Sequence, residues 1–309
     1  MADILCFGET MAMLVAEQCG DLDQVTHFHR RIAGADSNVA IGLARLGFDV
    51  TWLSRVGNDS LGRFVLQSLR EEGLDCQHVA VDPLRPTGFQ FKGRTDDGSD
   101  PQVEYYRRGS AASQLNIADL PERQPLPRHL HVTGIPPALS AATCELADHL
   151  LLRQRQAGGS SSFDPNLRPQ LWASERQMIE TLNHLAGHAD WVLPGLAEGR
   201  LLTGYQTPQD IAAFYLERGA QAVAIKLGAA GAYYRTARDQ SFVAAQPVAR
   251  VIDTVGAGDG FAVGLISALL EQQPLLEAVK RGNWIGSRAV QSRGDMEGLP
   301  RRSELTEPA

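Results

Sequence analysis

The 309-residue sequence has little that would direct it to a membrane, a nucleic acid or a disulfide-stabilised fold. No apolar run approaches the roughly 18 residues that a membrane-spanning helix needs. The opening segment, MADILCFGET, carries an acid where a signal peptide carries bases, so a cytoplasmic location is expected. The net charge of −7 argues against a nucleic acid or an anionic membrane as the main partner, since both reward an excess of Lys and Arg.

Metal-binding and disulfide patterns are also lacking. The four cysteines are scattered without a C-x-x-C pair, so we expect them to be reduced and structural: Cys6, Cys19, Cys76 and Cys144. His184 and His188 have the i, i+4 spacing of a chelating pair, but no Glu follows His184 as the metalloprotease pattern requires, so we expect no histidine metal site. No internal repeat or low-complexity linker divides the chain, and a single domain over residues 1–309 is expected.

Short apolar runs do alternate with helix-like periods along most of the chain. DILCFG and VTWLSRVG predict buried strands, and SLGRFVLQSLREEG predicts a helix. SNVAIGLARLG predicts a helix with Ser37 as its cap and Gly47 as its end. This repetition indicates an α/β fold with a mostly parallel central sheet flanked by helices.

Two segments interrupt the alternation, at about residues 10–32 and 86–110. MAMLVA and THFHRRI alternate weakly, and TGFQFKGRTDDGSDPQVEYYRR has two alternating runs around a Gly/Asp/Pro turn cluster, which is typical of a hairpin. We expect a small antiparallel sheet that forms a lid over the carboxyl ends of the parallel strands, where ligands bind in such folds. Its unpaired edges also offer a surface for a homo-oligomer.

The segment DTVGAGDGF, residues 253–261, is a glycine-rich turn that leads into an apolar helix. Phe261 stands where a dinucleotide turn needs its third glycine, and no G-K-[ST] follows, so neither the nicotinamide dehydrogenase nor the Walker pattern fits. The carboxylate of Asp259 can take a proton from a hydroxyl, or it can simply cap the helix. The backbone N–H groups that can meet a transient anion belong to Gly256, Ala257 and Gly258. Together these groups predict phosphoryl transfer to an alcohol.

With AGADSNVAIGLARLG and SRVGNDSLG, the glycine-rich segment resembles the PfkB, or ribokinase-like, family of carbohydrate kinases over essentially the whole chain. The resemblance implies a three-layer α/β fold with a small β lid, ATP and Mg²⁺ as cofactors, and Asp259 as the base. EYYRRGSAAS, DPNLRPQLW, PGLAEGRLLTG and SRGDMEGLP are most similar to 2-keto-3-deoxygluconate kinases of that family, which implies phosphorylation of the terminal 6-hydroxyl of this sugar acid. A kinase of fructose, ribose or a nucleoside, and a non-catalytic sugar sensor, are the alternatives.

The resemblance also implies a sugar-binding set: Gly34, Asn38, Tyr105, Arg107, Arg168 and Asp295. The two arginines have a separate physical motive, because a guanidinium gives a planar, bidentate fit to a carboxylate. The simpler alternatives are a tight turn at Gly34, a helix cap at Asn38, ordinary ion pairs for the arginines and a solvated loop acid at Asp295. Phe89 stands where some relatives have a tyrosine, and it can only pack.

On the nucleotide side the resemblance implies five residues: Asn166, Lys226, Gly228, Gly231 and Asn283. The two glycines serve only the hairpin turn in the alternative reading. Glu198 is implied as the acid that organises Mg²⁺ through water, which suits an ion that keeps several waters. The Asn of the family's N-x-x-E motif is Gly195 here, so Asn166 is the candidate to share its task. Asp253 belongs to a monovalent-cation site in some relatives and is otherwise a turn aspartate.

Overall fold

The structure is a computed structural model that describes residues 2–95, 101–120, 126–292 and 294–305. The strands are β1 (Ile4–Phe7), β2 (Met11–Ala16), β3 (Phe28–Ala33), β4 (Val50–Gly57), β5 (Val79–Asp82), β6 (Phe89–Lys92), β7 (Val103–Tyr106), β8 (His129–Thr133), β9 (Ser160–Asp164), β10 (Trp191–Val192), β11 (Ala222–Lys226), β12 (Ala232–Thr236) and β13 (Gln240–Val243). The α-helices are α1 (Ala35–Arg45), α2 (Ser60–Glu71), α3 (Pro136–Leu139), α4 (Ala141–Gln156), α5 (Glu175–Ala186), α6 (Leu196–Thr203), α7 (Pro208–Leu216), α8 (Ala257–Leu270) and α9 (Leu275–Ala289).

Nine strands form the main sheet in the order β13-β12-β11-β10-β9-β8-β1-β4-β5. All neighbours pair in parallel except β11 with β12 and β12 with β13, which are antiparallel. Successive strand residues face opposite sides, so Trp52 belongs to a buried cluster with α1, α2, α8 and α9, while Leu53 belongs to one with α4, α5, α6 and α7. The predicted three-layer α/β fold is confirmed.

A second sheet, which we call the lid, has four strands in the order β3-β2-β6-β7. Two antiparallel hairpins, β2 with β3 and β6 with β7, join side by side through a parallel pairing of β2 with β6. On one face of the lid the ring of Phe89 stacks on that of Tyr106, with centroids 4.8 Å apart. Part of the predicted turn between β6 and β7 falls on residues 96–100, outside the described residues.

The start of α1 differs from the sequence-based prediction. Gly34, not Ser37, is the residue before the first helical position, and the Ser37 hydroxyl donates a hydrogen bond to the Gly34 carbonyl at 3.0 Å from within the first turn. A Cβ at Gly34 would lie 2.4 Å from the Glu9 carbonyl oxygen. The backbones of Gly34 and Glu9 approach each other closely here, and the helix begins three residues earlier than it would with Ser37 as its cap.

Two smaller sequence predictions concern membranes and cysteines. Within the described ranges no helix is long and apolar enough to cross a membrane. The four cysteines lie in the described part of the chain and form no disulfide there.

Candidate active site

A cavity of about 430 Å³ lies between the lid and the carboxyl ends of the main-sheet strands. Lid residues Gln90, Lys92 and Val103 form one wall. Twelve residues predicted from the sequence also line the cavity: Gly34, Asn38, Tyr105, Arg107, Asn166, Arg168, Glu198, Lys226, Gly256, Gly258, Asp259 and Asp295. Residues far apart in the chain therefore meet in one cavity.

Asp259 lies in the first turn of α8 and is 8% exposed. Its Oδ2 atom accepts a hydrogen bond from Asn38 Nδ2 at 2.8 Å, and its side chain makes no capping bond to the helix. Burial raises the pKa of Asp259 to about 7, while the Asn38 bond opposes that rise and the carboxylate of Asp164 adds to it. Both capping alternatives are thus wrong, for Asp259 and for Asn38, which lies inside α1. A carboxyl group that titrates near neutrality suits a proton acceptor.

The glycine-rich turn enters α8 at Gly256, whose φ of +83° is left-handed and whose Cβ would lie 2.3 Å from the Asp295 carbonyl oxygen. Only glycine fits this position without strain. The helix begins at Ala257, so the N–H groups at its start, including that of Gly258, have no acceptor within the helix. These donors lie in the same helical turn as Asp259, and the helix dipole also favours an anion at this end of α8.

Arg107 lies just beyond β7 and is 7% exposed. Its Nε donates to Glu9 Oε2 at 2.6 Å, and Ser110 Oγ donates to the other oxygen of Glu9. The ordinary-ion-pair alternative is therefore partly right, although this pair is buried and the guanidinium still lines the cavity. Glu9 thus holds the Nε side of the Arg107 guanidinium at the cavity wall.

The other predicted sugar contacts occupy different walls. Arg168 Nη1 donates to the Leu167 carbonyl at 2.9 Å, so a backbone bond holds its guanidinium at the cavity. Tyr105 projects from the lid and is 42% exposed, whereas Asp295 is 7% exposed. Asp295 accepts from Lys92 Nζ at 2.9 Å, so it is not the solvated loop acid of the alternative reading.

Lys226, at the end of β11, also lines the cavity and donates to Asp164 Oδ2 at 2.6 Å. Burial lowers the pKa of Lys226, but the carboxylates of Asp164 and Glu198 outweigh it and hold the pKa above its usual value. Glu198 accepts backbone N–H bonds from Leu167 at 2.8 Å and from Gly195 at 2.6 Å, one on each oxygen. Each oxygen keeps a lone pair that can meet a metal-bound water, so the donor set fits a water-mediated Mg²⁺.

Three predicted nucleotide residues lie outside the cavity. Gly228 and Gly231 form the turn between β11 and β12, with φ of +60° and +99°. Asn283 on α9 is 8% exposed, and its Nδ2 donates to the carbonyls of Val243 and Ala244 at 3.0 and 3.1 Å. The structure thus gives each of the three a local structural role, and their contact with a nucleotide stays a prediction.

Three charged residues of the cavity were not anticipated from the sequence: Glu9, Asp36 and Lys92. Asp36 is 1% exposed in the first turn of α1, and burial raises its pKa to about 7. An acid in a loop, an acid in the first turn of a helix and a lysine in a strand are all common on protein surfaces, so no local signal marks these three. Only the tertiary structure shows that all three are buried.

Away from the cavity, the histidine pair has a partner that its spacing does not reveal. Asp148 on α4 lies 3.0 Å from His184 Nε2 and 3.8 Å from His188 Nε2, and the three ligand atoms lie within 4.8 Å of one another. The histidines and Asp148 therefore form a partly exposed polar cluster that joins the middle of α4 to the C-terminal end of α5.

One cavity thus holds backbone N–H groups that can donate to an anion and a buried carboxyl group that can accept a proton, and a phosphotransferase needs both. The model of the pfkB family of carbohydrate kinases matches residues 1–302, and the chain belongs to that family. The chain is 52% identical to the 2-dehydro-3-deoxygluconokinase of Bacillus subtilis (strain 168) over 305 residues, which cover 98% of this chain and 94% of the relative.

Solved structures agree with this assignment. The crystal structure of a PfkB protein from Polaromonas sp. JS666 is 52% identical and superposes with a TM-score of 0.91 over 99% of both chains. A fructokinase from Vibrio cholerae O395, in fructose, ADP and calcium ion bound form, is 31% identical with a TM-score of 0.85, covering 98% of this chain and 97% of that one. The fold is thus shared with sugar kinases.

Proposed function

We propose that this chain transfers the γ-phosphoryl group of ATP to the terminal 6-hydroxyl of 2-keto-3-deoxygluconate, giving 2-keto-3-deoxy-6-phosphogluconate. Asp259 takes the proton of that hydroxyl, and the hydroxyl oxygen attacks the γ-phosphorus of ATP as ADP leaves. The backbone N–H groups of residues 256–258 donate to the phosphoryl oxygens as charge builds on them. The phosphorylated product suits aldol cleavage in sugar-acid catabolism of the Entner–Doudoroff type.

One observation supports an acidic substrate above the others. Arg107 and Arg168 line the same cavity as Asp259 in a protein whose net charge is −7. A neutral sugar gives no reason to bury a guanidinium group at its site, whereas a sugar acid needs local cations to offset the desolvation of its carboxylate. The name of the Bacillus subtilis relative agrees with this choice of substrate.

Hydroxyl recognition has its own partner in the cavity. Asn38 uses its Nδ2 on Asp259, and its buried Oδ1 has no hydrogen-bond partner among the described residues. A buried amide oxygen without a partner is costly, and a ligand hydroxyl at this point satisfies it. Asn38 therefore contacts both the base and the sugar, next to Gly34 at the start of α1.

The nucleotide lies on the side of Lys226 and the turn that contains Gly228. Lys226 is charged and lines the cavity beside Gly258, so its ammonium is suited to phosphate oxygens. Glu198, with Asn166 beside it, would hold Mg²⁺ through water, and the ion would neutralise part of the phosphate charge. The bound ADP and calcium ion of the Vibrio cholerae fructokinase support a nucleotide and a divalent ion at such a site.

Location in the cytoplasm, pairing of subunits through the lid and a monovalent cation at Asp253 stay predictions.

The test is ADP release by the purified protein with ATP and Mg²⁺, on a panel of 2-keto-3-deoxygluconate, gluconate, fructose, ribose and adenosine. The keto-deoxy acid should give the highest kcat/KM, with the new phosphate on its terminal carbon by ³¹P NMR. A higher kcat/KM for fructose, ribose or adenosine would reject the substrate and favour another kinase of the family. No ADP release with any acceptor would favour a sugar-binding sensor.

A further inference from the structure

Lysine is rare in this chain, since only three of its 29 basic residues other than histidine are lysines. Lys280 forms a part-exposed pair with Glu277 on α9. The other two lysines, Lys92 and Lys226, both line the cavity and both bind buried carboxylates. Lys226 belongs to the nucleotide side already described, so Lys92 is the cation whose purpose is unexplained.

Lys92 is fixed at its base by the lid. It is the last residue of β6, where it pairs with Val15 of β2 and with Val103 of β7. Its side chain is 4% exposed and leaves the lid for the main body. Because the Lys92 backbone is paired on both sides and its side chain is buried, the position of its ammonium group is linked to the position of the lid.

The ammonium group of Lys92 binds two carboxylates from separate loops of the main body. Nζ donates to Asp253 Oδ2 at 2.7 Å and to Asp295 Oδ1 at 2.9 Å. Both side chains are 9% exposed. Buried charge pairs with such geometry are held firmly, because separating them leaves an uncompensated charge.

Both aspartates also contact the turn that carries the anion donors, Asp253 through its carboxylate and Asp295 through its backbone. Asp253 Oδ1 accepts the N–H of Val255 at 3.0 Å, immediately before Gly256. The carbonyl oxygen of Asp295 packs against Gly256 so closely that a Cβ there would lie 2.3 Å away. One ammonium group thus holds both the segment that enters the turn and the loop on which the turn rests.

We propose that Lys92 is a positioning residue that couples closure of the lid to the position of the anion-donating turn at residues 256–258. When the lid lies over the sugar, Lys92 brings Asp253 and Asp295 together around Gly256, so the phosphoryl site is complete only when the acceptor is covered. Lysine suits this task because its ammonium is a compact charge that two carboxylates from different directions can share, whereas the planar fork of arginine favours one carboxylate. This inference rests on the role proposed above for the 256–258 N–H groups, but not on the identity of the sugar.

The test compares wild-type protein with Lys92→Met, Lys92→Arg and the control Lys280→Met, which removes a lysine from an exposed pair. Each is assayed with ATP and the acceptor of the panel that the wild type turns over fastest, whether that is 2-keto-3-deoxygluconate, fructose or ribose. The test of Lys92 therefore remains valid even if the substrate assignment is wrong. Lys92→Met should lower kcat by about 10- to 100-fold, the effect of misplacing catalytic groups by about 1 Å. Its KM values for acceptor and ATP should stay within about 3-fold of wild type.

Lys92→Arg keeps the charge and should recover kcat at least about 3-fold over Lys92→Met, and Lys280→Met should match the wild type. A raised acceptor KM at unchanged kcat would overturn the inference, because Lys92 would then only shape the sugar wall. Wild-type kinetics in Lys92→Met would overturn it too. Circular dichroism and thermal unfolding check folding, and if Lys92→Met does not fold, Asp253→Asn tests the same link. That variant keeps the Lys92–Asp295 pair and should lower kcat at unchanged KM; unchanged kcat would reject the link.

Discussion

Asn38 Nδ2 donates a hydrogen bond to Asp259 Oδ2 at 2.8 Å, joining two side chains that lie 221 positions apart in the chain. Asn38 is 2% exposed and Asp259 8%, so water does not compete well for either group. The bond opposes the effect of burial on the Asp259 carboxyl, whose pKa is about 7. Asn38 therefore keeps the base partly ionised at neutral pH.

Replacement of Asn38 by Ala removes this donor and should raise the pKa of Asp259 further. Because the base acts only when it is ionised, the acid limb of the pH–kcat profile should move to higher pH by about one unit, the worth of a hydrogen bond to a charged group. The loss of kcat should be larger at pH 6 than at pH 9. Ser37→Ala is the control, since the Ser37 hydroxyl donates to the Gly34 carbonyl and not to Asp259. An unmoved acid limb in Asn38→Ala would show that the bond does not tune the base.

The geometry of the anion-donating turn can be tested at Gly256. A methyl group there would meet the Asp295 carbonyl at 2.3 Å, so Gly256→Ala should displace the N–H donors and lower kcat by about 100-fold or more. Gly73→Ala is a matched control, because Gly73 has a similar φ of +89° and open space around it. Both variants carry backbone strain, which thermal unfolding measures. Equal kcat in the two variants would contradict the proposed role of the turn.

Substitutions of Arg168 and Arg107 should differ in their effects on substrate binding and on stability. Arg168→Ala should raise KM for the sugar acid by about 10-fold or more, since it removes a charge-assisted contact, and should change KM for fructose little. Arg107→Ala should raise the same KM and also lower Tm, because Glu9, whose side chain is 1% exposed, loses its partner. KM and Tm measured for both variants check this difference.

The double variant Glu9→Gln/Arg107→Ala extends that test. Removing the unpaired charge should restore much of the Tm but none of the affinity for the sugar acid. Recovery of KM along with Tm would mean that Arg107 acts only through the fold and not through the substrate.

Local patterns in the sequence predicted the strand–helix alternation, the lid segments and the glycine-rich turn, because each depends on neighbours within a few residues. They did not predict the start of α1, which depends on a backbone contact between Gly34 and Glu9. Nor did they predict the pairs of Glu9 with Arg107 or of Lys92 with Asp295, which join residues 98 and 203 positions apart. Only the tertiary fold brings these charges together, and they complete the site.

The most direct test of the account is the turnover of Asp259→Asn. Asn is nearly the same size and can keep a bond to Asn38, but it cannot take a proton, so kcat should fall by about 100- to 10,000-fold while ATP binding, measured by calorimetry, stays within about 3-fold. Asp36→Asn, a second buried acid of the same cavity, should keep at least about a tenth of wild-type kcat. If Asp259→Asn turns over at a rate near that of the wild type, Asp259 is not the base and the proposed chemistry of the cavity is wrong.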